Sequence, residues 1–296
     1  MIYYDTPNFI FKVGKTNVDE VLSLGPTFWK NKLYTHNNII IDGIKLDKSS
    51  FNEVSNLFGN PWPEELYLLH SESLSDKENI IVNWNHDTGL RLQSLPWHQD
   101  NPWNPIFRFP IRTLYSLEVE DPDSGILSFV DTVDFYNNLD VETKNFYNNL
   151  EILVHDYRNP ERKHWYPFVQ KNLVTGESHL LINAIDLDIN FFGFKKSKEY
   201  KKGKTHIIAA RNKLSQEEFK LEHLADEFIK CVSCSKEIYN HKWKENQLVV
   251  FSNLNVIHCR TGLKENARRI MYRRTIFHDY QYEEFLKIKN FSSNIL

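Results

Sequence analysis

Apolar and polar residues recur with two different periods along this chain, and the switches between them mark out its elements. At Asn38 to Asp42 three consecutive isoleucines stand between turn formers, the pattern of a short buried strand. Asp47 then caps a helix to about Leu57, with Phe51, Val54, Leu57 and Phe58 on one face, and Gly59 stops it. Ile80 to Val82 predicts another strand, and the stretch that leads to His98 reads as loop. Strands are predicted from Arg112 to Val119 and from Ile126 to Val130, separated by a strong turn from Asp121 to Gly125. Two short helices follow, one capped by Asp131 or Thr132 and running through Leu139, the next running from Val141 to Leu150 after Asp140. Ile152 to Val154, Tyr166 to Gln170 and Ser178 to Ile182 read as strands, the last entered through a tight turn at Val174 to Glu177. The strongest helical period runs from Ser215 to about Val232, where Phe219, Leu221, Leu224, Ala225, Phe228 and Ile229 recur at three-and-four spacing. Two final strands are predicted, Gln247 to Phe251 and Arg269 to Phe277. Strands dominate the second half and helices decorate them. This is an α+β pattern around a central antiparallel β sandwich or barrel.

Composition adds bounds. No repeat, low-complexity tract or Gly/Ser-rich linker divides the 296 residues, so a single domain over 1–296 is expected. Hydrophobic residues at 41% and charged residues at 25% are ordinary for a globular chain. A formal net charge of −3 argues against binding nucleic acid by bulk electrostatics. No apolar run is long enough to span a membrane, and Met1-Ile2-Tyr3-Tyr4-Asp5 lacks the basic-then-apolar order of a signal peptide. Three cysteines make no disulfide framework, which points to a reducing cytoplasm.

The candidate chemistry lies at Pro96-Trp97-His98-Gln99-Asp100 and, 160 residues after His98, at His258. In extended backbone, residues i and i+2 share a face, so His98 and Asp100 can reach one ion while Gln99 points away. With one remote histidine they compose a 2-His-1-carboxylate facial triad, which binds non-haem Fe(II) and leaves the opposite face open. His70-Ser71-Glu72 is a direct competitor with the same spacing, but it has no matching C-terminal half.

Several further segments occur in a telling order. They are Phe58-Gly59, Trp97 to Asp100, Ser124-Gly125 with Ser128 to Thr132, and Tyr166-Pro167 through Thr175-Gly176 to Asn183. His241 to Asn253 and then His258 complete the series. In this order the chain resembles the taurine dioxygenase-like group of Fe(II)/2-oxoglutarate-dependent oxygenases, over about residues 58 to 277. The resemblance implies a double-stranded β-helix (jelly-roll) core with flanking helices and insertions, and His98, Asp100 and His258 as iron ligands. It implies Fe(II) as cofactor with 2-oxoglutarate and O2 as co-substrates, and the oxidation of a small molecule's C–H bond with release of succinate and CO2. It also implies an arginine about eleven residues after the distal histidine, here Arg269, paired with the distal carboxylate of 2-oxoglutarate. A planar guanidinium offers two parallel donors to a carboxylate, which a lysine does not. Alternation along the strand puts Arg269, Met271 and Arg273 on one face and Arg268, Tyr272 and Arg274 on the other. The resemblance further implies that Arg273, on the face of Arg269, meets the substrate's acidic group or the C1 carboxylate of oxoglutarate, whereas Arg268 and Arg274 read as a solvated edge.

The chain departs from the family pattern in places. Leu127 stands where the family has a threonine that helps hold oxoglutarate, and Ser128 faces the other way unless the strand bulges. Asn246-Gln247 replaces a Gly-Asp turn, which asparagine tolerates because it accepts the left-handed conformation. Asp100 itself disfavours a halogenase, since Gly or Ala there would open a site for chloride. Cys231 and Cys234 have half a zinc spacing without a second pair and read as packing residues, with Cys259 a lone thiol. Trp97, Trp103, Phe107 and Tyr115 are core or pocket wall. His86, His155, His164, His179, His206, His223 and His278 show no pattern. Lys195 to Lys204 is a basic stretch, read as an exposed flexible insertion ahead of an active-site lid. The expected partner is a small, acidic molecule, with no nucleic acid and no membrane; a homo-oligomer is left open. Desaturation or oxidative cyclisation by the same iron chemistry is one alternative. A non-catalytic metal-binding sensor and a metal-assisted hydrolase are the others.

Overall fold

The computed structural model describes residues 3–4, 7–62, 80–83, 94–100, 102, 108, 110–156, 159–182, 207–234, 238–264 and 267–293. The expectations for His70, Glu72, His86, Trp103, Phe107, Asn183, His206 and the Lys195 to Lys204 stretch lie outside these residues.

From the N-terminus, β1 (Tyr3–Tyr4) and β2 (Ile10–Val13) lead to α1 (Val18–Ser23) and α2 (Gly25–His36). Asn17 caps α1 by accepting from the Glu20 amide, and Pro26 sits in the first turn of α2, where its missing N–H costs nothing. Asn37, at φ 62°, turns the chain directly into β3 (Asn38–Ile41), the isoleucine run read from the sequence. α3 (Lys48–Asn56) begins as expected: the Asp47 carboxylate accepts from the Ser50 amide, and the Ser50 hydroxyl accepts from the Asp47 amide. β4 (Asn60–Pro61), β5 (Ile80–Asn83), β6 (Leu95–His98), β7 (Ile111–Val119) and β8 (Leu127–Asp131) follow, then α4 (Thr132–Asn137) and α5 (Val141–Asn148), capped by Asp131 and Asp140. β9 (Leu150–Asp156), β10 (Asn159–Pro167), β11 (Val169–Lys171), β12 (Ser178–Leu180), β13 (Ile207–Asn212) and β14 (Glu218–Phe219) precede α6 (Leu221–Cys234). The chain closes with β15 (Tyr239–His241), β16 (Gln247–Ser252), β17 (Val256–Arg260), β18 (Arg269–Phe277) and α7 (Asp279–Ser293).

Three sequence expectations change. The approach to His98 is strand β6 rather than loop, because its backbone pairs antiparallel with β17 although Pro96 withholds one donor. The helix expected from Ser215 starts at Leu221, because Glu218 and Phe219 pair with Arg211 and Ala210 of β13. The strand expected from Tyr166 to Gln170 is two, since β10 pairs with β9 whereas β11 turns to β12.

The strands form two principal sheets. One has the order β1-β2-β3-β16-β7-β18-β4, with β5 also paired to β18; the other has the order β15-β8-β17-β6. An apolar layer lies between them, with Ile40, Val249, Phe251 and Met271 from the first sheet and Leu127, Phe129 and Val256 from the second. β16 shows how this is encoded: Val249 and Phe251 enter that layer, whereas Leu248 and Val250 pack under α1–α3 with Trp29, Leu33, Phe51 and Val54. The outer face of the second sheet, at Val130, Ile257 and Cys259, packs against residues of β9, β12 and α6. Cys231 is one of these buried packing residues, as its sequence context suggests. Trp97 joins the same core, and Tyr115 is buried on the helical side of the first sheet. The architecture is α+β. Among the described residues, no helix is long and apolar enough to cross a membrane.

Candidate metal centre

β6 and β17 run antiparallel with His98 directly opposite His258. Opposed residues on one face have Cβ atoms about 4.5–5.5 Å apart, close enough for two side chains to converge on one ion. The two imidazole centroids lie 4.3 Å apart. Asp100 lies just past the end of β6 and brings its carboxylate near both imidazoles, with Oδ1 3.8 Å from His98 Nε2 and Oδ2 3.9 Å from His258 Nε2. One ligand atom from each of these three residues lies within 4.8 Å of the other two. Gln99 points away, as the alternation predicts. Its Nε2 donates to the carbonyls of Asn253 (3.0 Å) and Leu254 (3.2 Å), and its Oε1 accepts from the Ile182 amide at 3.0 Å. The residue between the two candidate ligands thus ties their segment to the β16–β17 turn and to the segment after β12.

Burial alone would raise the Asp100 pKa, but Arg112, His258 and His98 together hold it well below the usual carboxylate range. Arg112 Nε donates to Asp100 Oδ2 at 2.7 Å, and its Nη1 donates to the Thr275 hydroxyl. Asn253 completes the frame: its Oδ1 accepts from the Asp100 amide at 3.2 Å, and its Nδ2 donates to the Pro110 carbonyl at 2.7 Å. Burial, reinforced by His98 and opposed by Asp100, depresses His258 to about 3, so it is a neutral imidazole at neutral pH, the form that ligates metals. The Phe251 and Phe129 rings, with centroids 4.8 Å and 6.3 Å from that of His258, set its orientation by packing. Two imidazole nitrogens and one carboxylate oxygen suit a non-haem Fe(II) or Mn(II) ion with open positions. The residues fit the metal.

Arg269 opens β18 and is buried. Its Nη1 donates to the Gly125 carbonyl at 2.9 Å, and a Cβ on Gly125 would lie 2.6 Å from the same nitrogen. Gly125, at φ 69°, is thus required by both its backbone conformation and the approach of the guanidinium. Burial, with Arg260 adding to it, lowers Arg269 to about 9, which leaves it cationic at neutral pH. Along β18, Met271 enters the layer between the sheets and Thr275 meets Arg112, so the alternation puts half-buried Arg273 on that same face. Tyr272 lies on the other face against Phe51 and Tyr115. Arg274 is not a solvated edge: its Nη1 donates to the Asn52 carbonyl (2.9 Å) and Asn56 Oδ1 (3.0 Å), where it satisfies the end of α3. Arg268 does occupy a partly exposed edge, 3.2 Å from Glu118. Leu127 is buried in the apolar layer, and the Ser128 hydroxyl donates to Asn240 Oδ1 on β15 at 2.6 Å, so no bulge turns the serine inward. Asn246 takes the left-handed conformation at φ 60°, as the departure from Gly-Asp requires. Sequence reasoning missed Arg112 and Thr275. The available signal was a single charged residue among the otherwise uncharged positions of a predicted strand, from Ile111 to Tyr115.

The class is that of the non-haem iron, 2-oxoglutarate-dependent dioxygenases. Residues 14–275 match the model of the taurine catabolism dioxygenase TauD, TfdA family, and the chain belongs to that family. Its members use iron, 2-oxoglutarate and oxygen and act on small molecules. Among solved structures the chain is similar to AAD-2 in complex with Mn(II) and N-oxalylglycine, at 15% identity and a TM-score of 0.67, covering 93% of this chain and 97% of that one. It is also similar to PvcB, an Fe, alpha-ketoglutarate dependent oxygenase from an isonitrile synthetic pathway (15% identity, TM-score 0.65, 93% and 88% covered). A taurine dioxygenase from Burkholderia xenovorans gives 12% identity and a TM-score of 0.62, with 93% and 89% covered. These likenesses concern the fold. No curated protein matches the chain in sequence.

Proposed function

We propose that this dioxygenase hydroxylates a C–H bond of a small, acidic metabolite, with an ion held by His98, Asp100 and His258. The overall reaction consumes the metabolite, 2-oxoglutarate and O2 and yields the hydroxylated product, succinate and CO2. The observation that carries the reading is the cross-strand pairing of His98 with His258, with the Asp100 carboxylate near the Nε2 atoms of both. The fold reading is a double-stranded β-helix within one domain over 1–296. The interleaved antiparallel strand orders β16-β7-β18-β5 and β15-β8-β17-β6 support it, since consecutive strands pass back and forth between the two sheets.

Bound iron would supply the means to activate oxygen at the expense of the co-substrate. The chain's own residues bind and orient. Arg269 presents its fork to the distal carboxylate of 2-oxoglutarate, with Gly125 leaving room for the guanidinium. Arg273, two positions before Thr275 on the same face, meets the acidic group of the metabolite or the C1 carboxylate of oxoglutarate. Phe129 and Phe251 keep water from the side of His258 on which they pack.

Anaerobic addition of Fe(II) and 2-oxoglutarate to the full chain is expected to produce a weak visible charge-transfer band. His98→Ala and Asp100→Ala should each abolish iron retention and the band, whereas His70→Ala should preserve both. A protein with full iron occupancy that gives neither the band nor oxoglutarate turnover would overturn the reading.

A further inference from the structure

The two oxygens of Asp100 stand in different surroundings. Oδ2 accepts from Arg112 Nε at 2.7 Å and from Asn253 Nδ2 at 3.4 Å. Each oxygen lies near one imidazole, Oδ1 3.8 Å from His98 Nε2 and Oδ2 3.9 Å from His258 Nε2, but Oδ1 accepts no hydrogen bond from the described residues. Arg112 is itself fixed at its far end. It lies on β7, between β16 and β18, and its Nη1 donates to Thr275, its direct cross-strand partner on β18. The place of the guanidinium is therefore set by the sheet.

Fold stability is a poor reason for this arginine. It is 5% exposed, and replacing a buried ion pair with apolar side chains is often neutral or stabilising. Its neighbours Ile111, Thr113 and Tyr115 are buried and uncharged. The charge answers to Asp100.

We infer that Arg112 is a positioning residue that keeps Asp100 a one-oxygen ligand, a step that rests on the iron-site reading above. The coordination count gives the reason. Two imidazoles and one carboxylate oxygen would hold the ion and leave positions open for the co-substrate and oxygen. A carboxylate that bound through both oxygens would take up one of those positions. Arg112 and Asn253 occupy the lone pairs of Oδ2 and leave Oδ1 for the ion. The guanidinium also offsets the carboxylate's charge, so the loaded site faces a dianionic co-substrate with more positive charge than the triad alone would supply. Lysine would keep the charge but not the fork that spans Asp100 and Thr275.

The test compares Arg112→Met, Arg112→Lys and wild type as full chains, with nitric oxide as a probe of the open position. Each is loaded anaerobically with Fe(II) and 2-oxoglutarate, and the charge-transfer band and the spin-3/2 resonance of the nitric oxide adduct are recorded. Wild type should give both signals; if it gives neither, the iron reading fails and not this inference alone. Arg112→Met should still take up Mn(II), with nitric oxide affinity in the presence of 2-oxoglutarate about tenfold weaker and the band displaced. Arg112→Lys should side with Arg112→Met. Variants that match wild type in both signals, or a lysine variant that alone restores them, would overturn the positioning role. If Arg112→Met does not fold, Thr275→Val carries the same test by releasing the far end of the guanidinium, with the same changes expected and unchanged signals overturning the idea.

Discussion

Arg269 and Gly125 act as a pair at the scale of single residues. The carbonyl of Gly125 anchors Nη1, and its missing side chain makes the room that the guanidinium fills. Buried beside Arg260, Arg269 is held against a like charge, so an incoming anion relieves both desolvation and repulsion. Arg269→Lys should therefore weaken 2-oxoglutarate binding by about tenfold or more while Mn(II) binding is kept, measured by calorimetric titration of the Mn(II)-loaded protein. Equal affinity in the lysine variant would remove Arg269 from the co-substrate site. Arg269 was singled out by the family resemblance, which implies an arginine about eleven residues after the distal histidine. Gly125 was visible as the end of a turn and as part of one segment of the family resemblance. That it faces a guanidinium 144 residues away depends on where β18 docks.

At the scale of elements, the candidate metal site depends on how β6 is held. This strand is four residues long, contains a proline, and pairs with β17 at one edge of its sheet. Gln99 strengthens it by bonding to the β16–β17 turn and to the Ile182 amide. Gln99→Leu leaves those buried backbone groups without partners, at about 1–3 kcal/mol for each unsatisfied group. The variant should unfold at lower urea concentration and bind Mn(II) more weakly; unchanged values for both would show that β6 needs no such tie. Elements with a strong local code were legible. Asp47, Asp131 and Asp140 all cap the helices that follow them, and the isoleucine run is β3. β6 and β14 were not. Neither has a period of its own, and each exists because another strand supplies its backbone partners.

At the scale of the whole molecule, burial of neutral histidines makes stability depend on pH. Burial pushes His241 down to about 3, with Asp42 opposing and Lys12 reinforcing, and burial together with Arg108 does the same to His179. In the unfolded chain each titrates near its ordinary value, so between about pH 6.5 and 3 the unfolded state binds more protons. Stability is therefore full above about pH 6.5 and falls as the pH drops, by about 2 kcal/mol per histidine at pH 5. His241→Gln should flatten the urea midpoint's decline between pH 7 and 5 by about one proton's share, and a slope identical to that of wild type would place the acid sensitivity elsewhere. By itself the sequence determined the α+β class, the capped helices and the strands β3, β7, β8, β16 and β18, because these follow from local periodicity; it offered His98, Asp100 and His258 as a candidate donor set only through the resemblance to a family. Only the tertiary structure decided that His98 stands opposite His258, that β6 is a strand, and that Arg112 reaches across from β7 to one oxygen of Asp100. The reason is physical: these depend on register between strands far apart in the chain, and register is set by backbone pairing and core packing that no local stretch encodes.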